Sequence, residues 1–388
     1  MEPIHKNTVL ILVLIAALIV GLYSFRGRIT EQFFKPQELP EDDSRIAEGV
    51  KNAEGVQQGK EAVKVVAENL DIPWEVRFLP SGDLLVTERP GTLLRIEENN
   101  EKIPVEGVKH AGEGGLLGMA LHPQFEENRF IYLYMTSEAE GGLVNRIERY
   151  RLENNSLEDR NTVISGIPGA AYHDGGRIEF GPDGMLYITT GDSGNEELSQ
   201  QKNSLAGKIL RVWPNGSVPD SNPFDSPVYS YGHRNPQGLA WDREERLWST
   251  EHGRSGIKSG LDELNVIEKG KNYGWPVIQG SENQEGMVPP VIHSGPEYTW
   301  APASAEYWNG SIFFGGLRGS ALYEAVLPEN LDKKPKLKIH FLNEFGRIRA
   351  VRLGPDGKLY LTTSNTDGRG RPRPGDDRII RIDPEIFR

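Results

Sequence analysis

The sequence predicts an all-β protein, a six-bladed β-propeller with four-stranded blades, preceded by an N-terminal transmembrane helix. Three observations lead to this fold class. A unit of strand, turn and strand recurs six times, and each copy is followed by a second apolar strand. No helical pattern of roughly 10 to 15 residues separates the strands, which disfavours a βαβ sheet.

The recurring unit is a short apolar lead, a turn and a strand of alternating polarity. Its best copies are FGPDGMLYITTGD at 180–192 and LGPDGKLYLTTSN at 353–365, and a looser copy lies at 78–90. Three further copies begin at Leu121, Leu239 and Tyr307. Alternation after a Pro-Asp-Gly turn is typical of a half-buried strand. Spacings of roughly 40 to 70 residues favour four-stranded propeller blades.

The second recurring strand is rich in Leu, Ile and Arg. Its six copies end at Ile96, Leu152, Val212, Ile267, Leu327 and Asp383. Six pairs of strands imply six blades. Because a ring of sheets leaves no open edge, the strand at 61–70 is predicted to complete the last blade beside 378–383.

The N-terminus carries an apolar run, Thr8–Phe25, with no charge over 18 residues. This length is close to the ~20 residues that a helix needs to cross a bilayer, and no small-residue cleavage site follows. We predict an uncleaved membrane anchor at 1–26, a flexible polar tether at 27–61 and a propeller domain at 62–388 outside the cytoplasm. A cleaved signal peptide and a buried core helix are the alternatives.

Composition narrows the possible partners. The 388-residue chain has a formal net charge of -12, which argues against nucleic acid or anionic lipid as the main partner. It contains no cysteine, which excludes disulfides, thiolate nucleophiles and Cys-ligated zinc.

A histidine and an aspartate flank one of the repeats. His173 lies in a Gly-rich loop before the strand, and Asp192 follows the strand that returns. The hairpin should bring the two side chains together, and a carboxylate there would fix the tautomer of the imidazole and make it a better base. The alternative is a histidine with a purely local role in its loop.

Several arginines also lie in loops. Arg234 and Asn235 occur in YGHRNPQGLAWD, Arg318 in GGLRGS, and Arg347 and Arg349 are two residues apart in GRIRAV. Arginine offers a planar fork of donors that suits carboxylates. In an acidic chain, loop arginines that face one channel predict an anionic ligand.

Two acidic positions have less specific patterns. Glu113 in GEGGLLGM is either a carboxylate that faces the substrate or a turn residue at a blade junction. Asp262 and Glu263 lie near Gly-rich backbone and could bind Ca²⁺, which prefers six to eight oxygen ligands, although their spacing is not that of an EF-hand.

The loops HDGGR, GHRNPQGLA, DELN followed by NYGWP, and the late arginines resemble the soluble glucose dehydrogenase and aldose sugar dehydrogenase family. The similarity runs from about Asp71 to Pro384. This family consists of six-bladed propellers that use pyrroloquinoline quinone (PQQ), so the resemblance implies PQQ and Ca²⁺ as cofactors. It also implies an aldose as substrate and an external electron acceptor.

The resemblance assigns a role to each matching position. His173 is similar to the family's general base, and Asp192 is similar to the carboxylate that orients it. The predicted cofactor contacts are Arg234, Asn235, Thr299, Arg318, Arg347 and Arg349, with Arg318 in the place of a family lysine. The predicted calcium ligands are the carbonyls of Gly253 and Arg254, and at a second, structural ion Glu263 and the backbone of Tyr273.

The substrate side departs from the glucose enzyme. Tyr172 stands where that enzyme has an acid, and Glu113 stands where it has a glutamine. The resemblance therefore implies a broad aldose range rather than selectivity for glucose. It implies removal of the C1 hydroxyl proton by His173 and hydride transfer from C1 to the quinone C5, which yields a lactone.

Two other functions fit a propeller of this kind. A Ca²⁺-dependent lactonase would need calcium at the channel centre and no quinone, whereas the loop arginines suit a tricarboxylate cofactor better. A surface-anchored propeller that binds sugar or protein without catalysis would not need His173, Arg234, Asn235 and Arg347 together.

Overall fold

Six antiparallel four-stranded sheets form the body of the protein. The computed structural model describes residues 62–97, 100–256, 259–330 and 333–388. The predicted anchor and tether lie outside these residues. Within the described ranges no helix has the length and apolar character needed to cross a bilayer.

The strands follow one another in chain order from blade to blade. β1 (Val63–Ala67) is followed by blade 1, which contains β2 (Pro73–Phe78), β3 (Leu84–Glu88), β4 (Thr92–Ile96) and β5 (Glu101–Pro104). Blade 2 contains β6 (Leu116–Leu121), β7 (Phe130–Ala139), β8 (Gly142–Glu153) and β9 (Ser156–Pro168). Blade 3 contains β10 (Ile178–Phe180), β11 (Leu186–Thr190), β12 (Lys208–Val212) and β13 (Val228–Tyr231).

The second half of the chain repeats the arrangement. Blade 4 contains β14 (Pro236–Trp241), β15 (Leu247–Glu251), β16 (Glu263–Ile267) and β17 (Ile292–His293). Blade 5 contains β18 (Pro302–Trp308), β19 (Ser311–Gly316), β20 (Ala321–Val326) and β21 (Lys336–His340). Blade 6 contains β22 (Ile348–Leu353), β23 (Leu359–Thr363) and β24 (Ile379–Ile382). Short helices occur at Phe125–Asn128 (α1), Glu196–Gln200 and Pro384–Phe387.

The ring is closed by the two ends of the propeller domain. β1 pairs antiparallel with β24, with Val63 opposite Ile382 and Val65 opposite Ile380. The sheet order β1-β24-β23-β22 makes blade 6 four-stranded, as the sequence predicts. Pairing of this kind leaves no open edge between the first and last blades.

The first strand of each blade lies next to the first strand of a neighbouring blade. β2 packs against both β6 and β22, and β18 packs against both β14 and β22. Apolar side chains fill the space between blades. Trp74 of blade 1, Leu117 of blade 2 and Ile178 of blade 3 belong to one buried cluster.

Charged side chains are buried where the first strands meet. Both oxygens of Glu75 on β2 accept hydrogen bonds from Arg352 on β22, at 2.8 Å from Nε and 2.6 Å from Nη2. Arg177, just before β10, also contacts Glu75. Burial opposes ionisation of Glu75, but the charges of these arginines and of Arg77 outweigh it and lower the pKa of Glu75. Blades 1, 3 and 6 are thereby joined by one ionic cluster.

Candidate active site

His173 occupies the loop that leads into β10. Its backbone is left-handed, with φ of 61°, a conformation that costs a non-glycine residue about 1 kcal/mol or more. Close packing defines the loop, since a Cβ atom at Gly175 would lie 2.5 Å from the carbonyl oxygen of Thr189. The hairpin of β10 and β11, with Ile178 opposite Ile188, brings Asp192 back to the histidine.

The imidazole and the carboxylate form a hydrogen-bonded pair. His173 Nδ1 lies 2.7 Å from Asp192 Oδ1. Burial opposes ionisation of Asp192, but its hydrogen bond and charge interaction with His173 dominate and lower the pKa of Asp192. Because an ionised carboxylate only accepts, Nδ1 of a neutral His173 carries the proton and Nε2 is the acceptor.

Trp275 holds the other oxygen of the aspartate. Its Nε1 donates to Asp192 Oδ2 at 2.9 Å. The guanidinium of Arg234 lies over the Trp275 ring, with 5.3 Å between Cζ and the ring centroid. The indole therefore links the His173–Asp192 pair of blade 3 to the arginine that leads into blade 4.

Two predicted substrate contacts lie beside the histidine. Glu113 Oε2 accepts a hydrogen bond from the main-chain N–H of His173 at 3.0 Å, and Oε1 accepts one from Arg369. Tyr172 is 48% exposed, and its ring stands edge-on to the imidazole with 4.9 Å between centroids. Both side chains adjoin His173, and their contact with a sugar stays a prediction.

Arg234 and Asn235 are held in a turn between β13 and β14. Glu251 on β15 accepts hydrogen bonds from the main-chain N–H of Arg234 and, at 2.8 Å, from His233 Nδ1. Asn235 Oδ1 accepts from the N–H of Gly175 at 3.0 Å. The donor atoms Arg234 Nε and Asn235 Nδ2 are buried without a protein acceptor.

Arg349 in β22 and Arg347, which directly precedes that strand, differ in their partners. Arg347 donates from Nη2 to Asp367 at 2.8 Å and from Nη1 to the Leu317 carbonyl at 3.2 Å. Arg349 has no carboxylate partner among the described residues. It donates from Nη1 to the side chain of Gln237 at 2.5 Å, while Nε is buried without an acceptor.

The charge of Arg349 is poorly compensated. Burial and, secondly, the charge of Arg89 lower the pKa of Arg349 to about 9. Burial also lowers the pKa of Arg234, Arg318 and Arg89. Arg234, Arg318 and Arg349 each have a buried Nε without a protein acceptor, a pattern that predicts a site for an anion.

Arg318 and Thr299 belong to the blade 5 side of the protein. Arg318 Nη1 donates to Ser259 Oγ at 2.8 Å, and its Nε is buried without a protein acceptor. Thr299 is buried at 6% exposure just before β18. The positions predicted to contact the cofactor are thus mostly buried, and several of them keep donors unused.

The predicted calcium ligands lie around blade 4. The N–H of Gly253 donates to Asp262 Oδ1 at 2.8 Å, and the Arg254 carbonyl accepts from the N–H of Gly260 at 3.3 Å. Burial, and secondly the facing carboxylate of Glu251, raise the pKa of Glu263 to about 8. Tyr273 is buried and stacks on the His233 ring. Over the described part of the chain, no three or more His, Asp or Glu side chains are grouped as metal ligands.

Four residues join the site without having been singled out from the sequence: Arg89, His252, Trp275 and Arg369. His252 adjoins Asn235, because its N–H donates to the Asn235 carbonyl at 3.2 Å. Burial lowers the pKa of this histidine to about 3, and the charges of Glu113, Arg349, Arg234 and His173 all act on it. Of the four, only Trp275 had a sequence signal, because it belongs to the motif NYGWP.

Comparison with known proteins agrees with this arrangement. The profile of the Glucose / Sorbosone dehydrogenase family matches residues 70–380. The aldose sugar dehydrogenase YliI of Escherichia coli is 32% identical over 342 residues, which cover 79% of this chain and 91% of that protein. Quinoprotein glucose dehydrogenase B of Acinetobacter calcoaceticus is 33% identical over 263 residues, which cover 58% of this chain and 54% of that protein.

A solved structure extends the similarity to the fold. The PQQ-bound form of aldose sugar dehydrogenase from Streptomyces coelicolor is 42% identical and superposes with a TM-score of 0.76, covering 83% of this chain and 97% of that chain. Fold and site thus define an oxidoreductase of the sugar dehydrogenase class built on a six-bladed propeller. The chain belongs to the Glucose / Sorbosone dehydrogenase family, which confirms the resemblance seen in the sequence.

Proposed function

We propose that the protein oxidises aldose sugars at C1 to lactones with PQQ as cofactor and His173 as general base. The observation that carries this proposal is the His173–Asp192 pair in the same site as buried arginines that lack anionic partners. The matched family and the PQQ-bound relative support it.

The residues of the site fit PQQ, a planar molecule with three carboxylates and a quinone. The carboxylate and quinone oxygens of PQQ could accept hydrogen bonds from four buried donor atoms that have no protein acceptor: Arg234 Nε, Asn235 Nδ2, Arg318 Nε and Arg349 Nε. Leaving such groups unpaired costs free energy, and anionic acceptors would remove that cost. These four residues, with Thr299 and Arg347, would hold the cofactor, which when bound supplies the acceptor for a hydride.

His173 and Asp192 would handle the proton. The acceptor atom Nε2 of His173 would take the proton of the C1 hydroxyl as the C1 hydride departs, and Asp192 would stabilise the imidazolium that forms. The guanidinium of Arg234 is held in place by the Trp275 ring and by its hydrogen bond to Ser255 Oγ at 2.9 Å. Arg234 would stabilise the negative charge that develops on the hydride acceptor. The sugar becomes a lactone, and its two electrons leave through an external acceptor.

The proposal includes two Ca²⁺ ions, one that would bind beside the cofactor and one that would be structural. Carbonyl and carboxylate oxygens are the ligands that Ca²⁺ prefers, and the carbonyls of Gly253 and Arg254 would hold an ion that polarises the cofactor's oxygens. Glu263 is a half-buried carboxylate whose pKa is raised by burial and by the facing carboxylate of Glu251, and a cation would offset both effects. With the carbonyl of Tyr273 it would hold a structural ion.

The test is reconstitution of the purified propeller domain with PQQ and Ca²⁺, followed by dye reduction with a panel of aldoses. We expect reduction with several aldoses rather than glucose alone, and none without PQQ. A panel of lactones serves as the control for hydrolysis. Lactone hydrolysis with Ca²⁺ alone, together with no aldose-dependent dye reduction, would overturn the proposal.

A further inference from the structure

We propose that Arg369 is a positioning residue of this active site, which sets the geometry of His173 through Glu113. The inference rests on the proposed function and deepens it, because it assigns a role to the ion pair of Glu113 and Arg369, which are 256 positions apart in the sequence. It also assigns Glu113 the role of positioning His173 rather than that of contacting the sugar.

The main chain of His173 needs to be held from outside. Its left-handed backbone is unfavourable for a residue with a side chain. Two main-chain bonds secure it: the N–H donates to Glu113 Oε2 at 3.0 Å, and the carbonyl accepts from the N–H of Ser193 at 3.2 Å. The imidazole reaches Asp192 only while this backbone conformation persists.

The Glu113 loop is built to approach the histidine loop closely. The N–H of Glu113 donates to the Ala171 carbonyl at 2.9 Å. A Cβ atom at Gly112 would lie 2.1 Å from that same oxygen, so the preceding position requires glycine. The carboxylate is therefore delivered to the His173 N–H by main-chain contact between blades 2 and 3.

Arg369 keeps that carboxylate ionised and in place. Burial favours the neutral form of Glu113, but the charge and hydrogen bond of Arg369 outweigh it and lower the pKa of Glu113. Arg369 is itself anchored, because its N–H donates to Asp367 Oδ1 at 2.9 Å. Asp367 in turn accepts from Arg347. One chain of polar contacts thus runs from Arg347, just before β22, to the main chain of His173.

The principal variant is Arg369→Met, which keeps an unbranched apolar chain in place of the aliphatic part of arginine and removes the charged guanidinium group. The control is Arg371→Met, an exposed arginine two residues further in the same loop. Misplacement of a catalytic group by about 1 Å can cost up to about 100-fold in rate. We expect Arg369→Met to lower kcat about 10- to 100-fold with KM for the aldose and Kd for PQQ within about twofold. Arg371→Met should change none of these.

A second readout needs neither PQQ nor sugar. The ring resonances of His173 are assigned in the apoprotein by their loss in His173→Ala. Arg369→Met should shift or broaden them, Arg369→Lys should restore them in part, and Arg371→Met should leave them unchanged. If the wild-type enzyme oxidises no aldose, the proposed function fails, yet this spectrum still tests the positioning role.

Coupling to Glu113 gives the decisive comparison. A glutamine at 113 offers a neutral oxygen that can accept from the His173 N–H without a cation beside it. In a Glu113→Gln background, Arg369→Met should therefore cost at most about twofold further in kcat. Independent, multiplicative effects of the two substitutions, or unchanged His173 resonances in Arg369→Met, would overturn the inference. Should Arg369→Met not fold alone, Arg369→Lys and the double variant decide by the same criteria.

Discussion

The Nδ1 atom of His173 lies 2.7 Å from Oδ1 of Asp192, at the two ends of one hairpin in blade 3. The aspartate is held by Trp275 and by the N–H of Gly194 at 2.8 Å. A fixed, ionised carboxylate on Nδ1 leaves Nε2 as the proton acceptor. The pair therefore has the hydrogen-bond geometry that the proposed roles of His173 as general base and Asp192 as its orienting group require.

Asp192→Asn tests whether His173 needs the charge of its carboxylate partner. The amide keeps the shape but lacks the charge that stabilises an imidazolium, so we expect kcat to fall at least about 100-fold, within the range of general-base loss. PQQ binding, measured by fluorescence titration, should change little.

Trp275→Phe is a milder variant of the same site, because it leaves the charge of Asp192 in place. It removes one hydrogen bond to the aspartate and should cost about tenfold or less. Equal activity of Asp192→Asn and wild type would refute the assignment.

Substitutions of Arg349 in β22 and of Arg347, which directly precedes that strand, should have different effects. Arg349 has a buried, unpartnered donor, so Arg349→Met should weaken PQQ binding about 10- to 100-fold, the worth of a charge-assisted hydrogen bond. Its loss should not destabilise the apoprotein, because burial already disfavours the Arg349 charge. The measurements are a PQQ titration and the thermal midpoint of the apoprotein.

Arg347→Met is the matched variant. It would leave Asp367 buried without its partner, and removing one member of such a pair costs about 3–5 kcal/mol. We therefore expect its main effect in the thermal midpoint of the apoprotein. A stability loss in Arg349→Met as large as that in Arg347→Met would contradict this division of roles.

Asp174, next to His173 in the sequence, should make the free energy of unfolding depend on pH. Its Oδ2 is buried without a protein partner, and burial raises its pKa from 3.8 to about 7. Below pH 3.8 Asp174 is neutral in both the folded and the unfolded state, so its burial carries no penalty of ionisation. Between pH 3.8 and about 7 the unfolded state releases the proton first, and the free energy of unfolding therefore falls as pH rises. Asp174→Asn should therefore gain stability over wild type between pH 4 and pH 7, by up to about 4 kcal/mol, and level off above. Urea unfolding at several pH values measures it, and a difference that does not vary with pH would count against the account.

The ionic cluster at Glu75 should be needed for stability. Glu75→Gln would leave the buried guanidinium of Arg177 without its carboxylate partner and would remove one of the carboxylates that contact Arg352. We expect a loss of about 3–5 kcal/mol in the free energy of unfolding. Glu126→Gln, at an exposed position in α1, is the control. Similar urea midpoints for the two variants would show that the cluster does not join the blades.

Much of the ring could be predicted from the sequence because its signals are local. Turns and period-2 alternation mark the second strand of each blade, and the hairpin at 180–192 predicts that Asp192 returns to His173. The outer strands gave no comparable signal. β5 alternates little and has one buried residue of four, and β17 has two residues. Exposed outer strands need no apolar pattern, so sequence periodicity cannot place them.

Contacts between distant loops could not be predicted in the same way. Glu113 and Arg369 are 256 positions apart and meet because the closed ring brings loops of blades 2 and 6 to His173. In the sequence, Arg369 lies among glycines and prolines that indicate only a turn. The lowered pKa of Arg349 likewise results mainly from burial, and burial at this position cannot be predicted from a sequence motif.

The most direct measurement mixes an aldose with PQQ-loaded protein without an electron acceptor and follows the absorbance of the bound cofactor in a stopped-flow instrument. The account predicts rapid reduction in the wild type and a rate about 10²–10⁴-fold lower in His173→Ala, with equal PQQ occupancy in both. An unchanged rate in His173→Ala, or no reduction in wild type at full occupancy, would contradict it.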